Sequence, residues 1–201
     1  MASDLCDLEN PGMPRVYLAG FEVFFTREEQ AAIAASKKSI CSKWGFEGVF
    51  PGDAEIRQGL EASERADEIF TRDVWLMDSC TAICANLTPF RGLSADTGTC
   101  WELGHFVGRG KIAVAYTNET RRYEDRFPLE MISDAKDSSQ TPLDVMGMRI
   151  EMQNELDNCM MTKSVSHLAV APEILDEYDK LRDLRAFEES IKLLAELCKN
   201  C

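Results

Sequence analysis

Two carboxylates, Asp96 and Glu102, lie six residues apart in the segment SADTGTCWELGHFVGRGK, residues 94–111. One interpretation is structural, because Thr99 and Glu102 have the spacing of a capping box, in which the Glu side chain reaches back to the cap of its helix. The other is chemical. Glu102 has apolar neighbours and shares a helical face with Phe106, so its carboxylate would be partly desolvated at the positive end of a helix, which suits nucleophilic attack.

The flanking segments predict the sheet that must position these acids. Four apolar runs end in Gly, Pro or Asn and alternate with segments of helical composition, which indicates a parallel sheet covered on both faces. The predicted strands are RVYLAG (15–20), FEGVFPGD (46–53), TAICANLTP (81–89) and KIAVAYTN (111–118), and the predicted helices fall in 26–45, in 54–80 as two pieces, and in 94–111. Ligands of such sheets bind at the carboxyl ends of the strands, so both acids belong to the expected binding edge.

The second half of the chain has weaker patterns. Residues 119–161 are polar, and the Ser-, Asp- and Pro-rich stretch 133–144 predicts a flexible excursion. From Pro172 onward, apolar residues between Leu175 and Leu197 recur close to helical spacing, which predicts one long amphipathic helix on the sheet or on another subunit. We expect a flexible N-terminal extension over 1–14 and one domain over 15–201.

Composition argues against several classes of protein. The 22 basic and 35 acidic residues give a net charge of -13, which disfavours binding to a nucleic acid polymer. No apolar run has membrane-spanning length and the N-terminus does not resemble a signal peptide, so we expect a soluble, cytoplasmic protein without membrane association. The eight cysteines are scattered and expected to be reduced, and the Cys198–Cys201 pair lacks the partners of a zinc site.

Three segments, in the same order along the chain, resemble nucleoside 2-deoxyribosyltransferases. They are VYLAGFEVF (16–24), ANLTPFRGLSADTGTCWELG (85–104) and LDNCMM (156–161). The resemblance implies a flavodoxin-like (Rossmann-like) α/β fold with a parallel sheet of four to five strands. It also implies transfer of 2-deoxyribose between purine or pyrimidine bases in nucleoside salvage, with no metal or other cofactor. Glu102 occupies the place of the family's nucleophile, which forms a covalent deoxyribosyl ester with retention of configuration.

The same resemblance implies roles for other residues. Tyr17, at the end of the first strand, would orient the nucleophile, Asp73 would exchange a proton with the nucleobase, and Asp96 would bind the deoxyribose hydroxyls. Each has a simpler interpretation: a core tyrosine, a solvated helix acid and a helix cap. Asp78 is an alternative to Asp73, because the match to Asp73 requires a one-residue gap.

Further residues complete the predicted substrate site. Asn158 matches an Asn that reaches the sugar from a neighbouring subunit, with Met160 packing beside it. This match implies a homo-oligomer with shared active sites, although Asn158 also suits an ordinary polar loop. An aromatic face or guanidinium plane can stack on a base, which predicts a base-binding wall from loops that follow the first and third strands. The residues of this wall are Phe21, Phe90 and Arg91, and Gly20 next to them is also expected to bind the substrate.

The sequence leaves two alternatives to deoxyribosyl transfer. A related 2-deoxynucleoside 5′-monophosphate hydrolase needs phosphate donors after the first strand, where this chain has Phe21 and Glu22, and the Glu is expected to repel a phosphate. A non-catalytic nucleoside-binding protein would bind without turnover. Phe21 and Cys159 depart from residues common in the family, and they leave base specificity open.

Overall fold

The computed structural model describes residues 13–174 and 176–199, so most of the predicted N-terminal extension, Leu175 and Cys201 lie outside it. The strands are β1 (Arg15–Ala19), β2 (Glu47–Val49), β3 (Ala82–Asn86), β4 (Ile112–Thr117), β5 (Ile132–Lys136), β6 (Pro142–Asp144) and β7 (His167–Val170). The helices are α1 (Arg27–Lys43), α2 (Ala62–Asp78), α3 (Thr97–Gly108), α4 (Cys159–Thr162), α5 (Glu177–Lys180) and α6 (Arg185–Lys199). Short 3-10 helices cover Phe21–Phe24, Pro51–Asp53, Glu124–Arg126 and Leu129–Met131.

Five parallel strands form the main sheet, in the order β2-β1-β3-β4-β7. This is the flavodoxin-like order, which confirms the predicted fold class. The order of strands reverses between β1 and β3, so their carboxyl ends border a crevice in which ligands of such folds bind. The segment after β1 and the start of α3 therefore meet at this edge.

Alternation along each strand divides the core between the two faces of the sheet. Val16 and Leu18 pack with α1 and α6 on one face, whereas Tyr17 and Ala19 pack with α2 and α3 on the other. Successive side chains of a strand point in opposite directions, so the apolar run of β1 serves both layers. Tyr17 is the central residue of β1, not its end as predicted.

The prediction of two helical pieces over 54–80 was wrong, because only α2 forms. Gly59 has φ +76, a conformation that interrupts a helix, and residues 54–61 run without regular structure. Both the backbone N–H and the guanidinium of Arg57 donate to Glu68, at 3.1 and 2.5 Å, so this segment folds back along α2. It thereby becomes a wall of the crevice.

Residues 132–144 form a hairpin, whereas the sequence predicted only a flexible loop excursion over 133–144. Strands β5 and β6 pair in antiparallel fashion, apart from the main sheet. Asp137 stabilises the turn, because its carboxylate accepts hydrogen bonds from the N–H groups of Ser139 and Thr141 at 2.8 and 2.9 Å. The prediction missed this local side-chain cap.

The tail is helical in two parts, not in one long helix from Pro172. The Asn118 side chain donates to the carbonyl oxygens of Lys180 and Asp183, at 2.9 Å each, and holds the turn between α5 and α6. Helix α6 buries its apolar side on β4 and β7, which agrees with the prediction of an amphipathic helix on the sheet. Among the described residues, no helix has both the length and the apolar composition needed to cross a bilayer.

Candidate active site

A cavity of about 980 Å³ lies at the carboxyl edge of the sheet. Its inner end, where the acidic side chains are partly buried, holds three carboxylates: Glu102 on α3, Asp96 just before α3, and Asp73 on α2. A smaller apolar pocket of about 480 Å³ continues from it and shares Asp73 and Glu102. Asp96 and Glu102, the two acids of segment 94–111, therefore face one cavity.

Tyr17 fixes the orientation of Glu102. The buried Tyr17 hydroxyl donates to Glu102 Oε1 at 2.8 Å across 85 residues of sequence, and its ring packs on Phe106, one turn further along α3. Burial, together with the carboxylates of Glu102 and Asp73, holds the pKa of the Tyr17 hydroxyl well above its usual range. The hydroxyl therefore remains a hydrogen-bond donor to Glu102.

The capping-box interpretation of Thr99 and Glu102 was wrong. Asp96 is the cap of α3, because its Oδ2 accepts from the Thr99 N–H at 3.1 Å, and Thr99 itself is buried within the first turn. Glu102 points to Tyr17 instead of returning to the helix start. Asp96 caps the helix and also lines the cavity, so its two interpretations are compatible.

The structure separates the two candidates for the base-facing acid. Asp73 lines the cavity, whereas Asp78 lies outside it and binds His105 and Arg109 at 3.1 and 2.8 Å. The hydrogen bond from His105 lowers the pKa of Asp78. Of the two acids, Asp73 is therefore the one that shares the cavity with Glu102.

Two of the three inner carboxyls, those of Glu102 and Asp73, have pKa values above the usual range. Burial raises the pKa of Glu102 to about 8; the charges of Asp73 and Asp96 act in the same direction, and the hydrogen bond from Tyr17 opposes them. Burial raises the pKa of Asp73 to about 6. The order of these two values places a single proton on Glu102 and leaves Asp73 ionised in the free protein between about pH 6 and pH 8.

The predicted base-binding wall forms an aromatic stack, but Phe24 is the ring that lines the cavity. Phe21 is fully buried and stacks on Phe90, with ring centroids 4.9 Å apart, and Phe90 stacks on Phe24 at 5.3 Å. The Arg91 guanidinium lies over Phe90 and Phe24, at 4.7 and 4.8 Å from their centroids. Phe21, Phe90 and Arg91 thus support the exposed Phe24 from behind. The sequence signal for Phe24 was the aromatic run that follows β1.

Gly20 lines the cavity, and the atoms around it leave no room for a side chain. A Cβ atom at this position would lie 1.9 Å from Glu22 Oε2, so no other residue fits without movement. Glu22 is 1% exposed, binds Lys37 in a buried ion pair, and does not line the cavity. The expectation that Glu22 would repel a phosphate in the site therefore does not hold.

Asn158 and Met160 lie outside the cavity of their own chain. Asn158 caps α4, where its Oδ1 accepts from the Met160 N–H at 3.0 Å, and the Met160 side chain is 77% exposed. The segment is tied to the loop before α3 by Asp157, a buried residue that the sequence analysis missed. Asp157 accepts from Ser94 Oγ and from the Ala95 N–H.

Among the residues that the structure describes, no group of three His, Cys, Asp or Glu side chains is arranged to hold a metal ion. Residues 16–160 match the family described as nucleoside 2-deoxyribosyltransferase. A search of curated protein sequences found no match.

Solved structures show the same fold. The chain is similar to a 2-desoxiribosyltransferase from Leishmania mexicana, with 21% identity, a TM-score of 0.61, and coverage of 91% of this chain and 97% of that one. It is also similar to a conserved protein from Enterococcus faecalis V583, with 18% identity, a TM-score of 0.52, and coverage of 91% and 99%.

Proposed function

The chain belongs to the nucleoside 2-deoxyribosyltransferase family, and we propose that it transfers 2-deoxyribose between nucleobases through a covalent ester on Glu102. The observation that carries this proposal is the hydrogen bond from the buried Tyr17 hydroxyl to Glu102 Oε1. It holds one oxygen of a carboxylate that faces a cavity shared with Asp73 and Asp96.

The first half of the reaction breaks the N-glycosidic bond. Glu102 Oε2, the oxygen that Tyr17 does not hold, attacks C1′ as the sugar develops oxocarbenium character. The electron pair of the C–N bond leaves with the base, which takes a proton from Asp73. Asp96 binds the sugar hydroxyls, and Phe24 stacks on the base.

The second half reverses these events with another base. The incoming base attacks C1′ from the face that the first base left, gives a proton to Asp73 and releases Glu102. Two displacements at one carbon retain the configuration, and the covalent intermediate predicts ping-pong kinetics.

Product analysis tests this proposal. Deoxyinosine and adenine are expected to give deoxyadenosine and hypoxanthine. Release of free deoxyribose without deoxyadenosine would favour the hydrolase, and binding without any product would favour the non-catalytic alternative.

The dependence of kcat/KM on pH is expected to be bell-shaped, with limbs near pH 6 and pH 8. The reaction needs one proton on the Asp73–Glu102 pair, and the pKa values of the two carboxyls are about 6 and about 8. The reactive form, with the proton on Asp73 and Glu102 ionised, is the less populated of the two singly protonated forms, and its fraction is largest between the two pKa values. Below pH 6 both carboxyls are protonated and no nucleophile remains. Above pH 8 both are ionised and no proton donor remains.

Variants assign the two limbs. Asp73→Asn is expected to lower turnover by about 10²- to 10⁴-fold and to leave a single limb, in which the rate rises with pH as Glu102 ionises. In that background, Tyr17→Phe should move the remaining limb to higher pH, because the hydrogen bond from Tyr17 lowers the pKa of Glu102. Asp78→Asn is the matched control and should keep both limbs; a profile that changes with Asp78 and not with Asp73 would contradict the assignment.

We further propose that Asn158 and Met160 complete the site of a neighbouring copy of the chain. Met160 is exposed, and the hairpin region carries further exposed apolar side chains that a second copy could bury. They are Leu129, Val145, Met146 and Met148.

Mixing two inactive variants tests the shared site. Glu102→Ala and Asn158→Ala chains, unfolded together and reassembled in equal amounts, would form mixed dimers with one intact site each. Half of random dimers are mixed, so about a quarter of all sites should recover. A mixture without recovered activity, after native mass spectrometry has shown mixed dimers, would rule this arrangement out.

A further inference from the structure

The cavity is polarised along its length. The carboxylates of Asp73, Asp96 and Glu102 belong to partly buried side chains and mark its inner end, whereas the guanidinium groups of three arginines and the carboxylate of Glu55 belong to exposed side chains and mark its outer part. The arginines are Arg27, Arg57 and Arg65. This concentration of positive charge stands out in a chain with a net charge of -13. It indicates a ligand whose outer part is anionic.

Two of these arginines are available to a ligand. Arg57 is engaged in an ion pair with Glu68. Arg27 and Arg65 have no side-chain hydrogen bond or ion pair with any residue in 13–174 or 176–199. Both are exposed on the cavity wall, which leaves their donors free for an incoming group.

Helix geometry places Arg65 away from the reacting carbon. Arg65, Ile69 and Asp73 follow one another at four-residue intervals along one side of α2, and all three line the cavity. Eight residues of α-helix correspond to about 12 Å along the axis, so the row leads from the inner acids to the mouth. Arg27, the first residue of α1, stands on the wall that also carries Phe24.

The stereochemistry of a β-nucleoside connects this geometry to the substrate. The base on C1′ and the 5′ carbon on C4′ lie on the same face of the sugar, and a nucleophile that displaces the base attacks the opposite face. With Glu102 at the inner end, both the base and the 5′ group point toward the outer part of the cavity. Either can bring a negative charge to the arginines.

We propose that Arg27 and Arg65 bind an anionic substituent of the substrate at the cavity mouth, either the 5′-phosphate of a deoxynucleotide or an ionised nucleobase. This inference rests on the proposed transfer function and narrows its substrate class. Guanidinium groups form charge-assisted hydrogen bonds with phosphate and other oxyanions. Glu22 does not oppose the proposal, because its carboxylate is buried beside Lys37.

The experiment compares charged with neutral substrates in the full-length protein. One arm measures kcat/KM for deoxyinosine 5′-monophosphate and for deoxyinosine, with adenine as acceptor. The other measures kcat/KM for the acceptors xanthine, which ionises readily, and hypoxanthine, with deoxyadenosine as donor. Each arm uses the wild type, Arg27→Gln and Arg65→Gln.

Arg109→Gln is the matched control. It removes the same charge from the C-cap of α3, about 20 Å along that helix from Asp96, and Arg109 does not line the cavity. The charged-to-neutral ratio of kcat/KM is expected to fall roughly tenfold to a hundredfold in Arg27→Gln and Arg65→Gln, because hydrogen bonds to charged groups are lost. Arg109→Gln should leave the ratio unchanged.

The two arms identify the source of the charge. A fall confined to the monophosphate arm assigns the site to a 5′-phosphate, and a fall confined to xanthine assigns it to an ionised base. Ratios that stay at the wild-type value in both arms would overturn the inference. Transfer from deoxyinosine in the same preparation reports separately on the proposed function.

Discussion

Glu102→Gln is expected to lower kcat for deoxyribosyl transfer by at least about 10⁴-fold, the scale of loss when a covalent nucleophile is removed. The amide is nearly the same size as the carboxylate and can still accept the hydrogen bond from Tyr17, so the site should keep its shape. It cannot form the ester. Single-turnover transfer from deoxyinosine to adenine is the measurement.

Thermal unfolding provides the control for Glu102→Gln. Because burial raises the folded-state pKa of Glu102 from 4.5 to about 8, its contribution to stability is fully present below about pH 4.5 and is lost as the pH rises through 8. The glutamine has no such titration. The melting temperature of the variant, relative to that of the wild type, should therefore increase between pH 4 and pH 9. Near-normal turnover in this folded variant would refute the assignment of Glu102 as the nucleophile.

Lys37→Met is expected to produce the largest loss of stability, about 3–5 kcal/mol in the free energy of unfolding. The Lys37 and Glu22 side chains are 0% and 1% exposed, and Glu22 Oε1 also accepts hydrogen bonds from Tyr116 and Asn86 at 2.9 and 3.0 Å. Loss of the ammonium leaves the buried carboxylate without a counterion. For a chain of this length the melting temperature should fall by about 6–20 °C.

The neighbouring lysine is a close control. Lys38 follows Lys37 on α1 and pairs with Asp53, but those side chains are 38% and 33% exposed, so Lys38→Met should cost less than about 1 kcal/mol. Adding Glu22→Gln to Lys37→Met should recover part of the loss, because it removes the unpaired charge. Urea unfolding measures both losses. Equal losses in the two single lysine variants would show that the buried Lys37–Glu22 pair contributes no more to the free energy of unfolding than the exposed Lys38–Asp53 pair.

The sheet was predictable because its strands are apolar on both faces. In β1, Val16 and Leu18 serve one layer while Tyr17 and Ala19 serve the other, and continuous apolar runs of this kind are typical of parallel strands. Strand β7 was not located in advance. It lies at the edge of the sheet, and only Ala169 of its four residues is buried, so its apolar pattern is weak.

The acids of the candidate site could be identified from the sequence, but the contacts that their side chains make could not. Asp96 and Thr99 are both competent caps, and local spacing did not choose between them. The choice follows from the contact between Glu102 and Tyr17, which local sequence rules do not include. The same limit explains why Phe21 was expected to face the base, although the stack on Phe90 buries it and presents Phe24.

Mass spectrometry after a rapid acid quench, with deoxyinosine and no acceptor base, tests the covalent intermediate most directly. One deoxyribosyl adduct per chain is expected, on the peptide that contains Glu102, and none is expected in Glu102→Gln. The adduct should disappear when adenine is added before the quench. Transfer activity in a preparation that shows no adduct, or an adduct on a different peptide, would contradict the proposed mechanism.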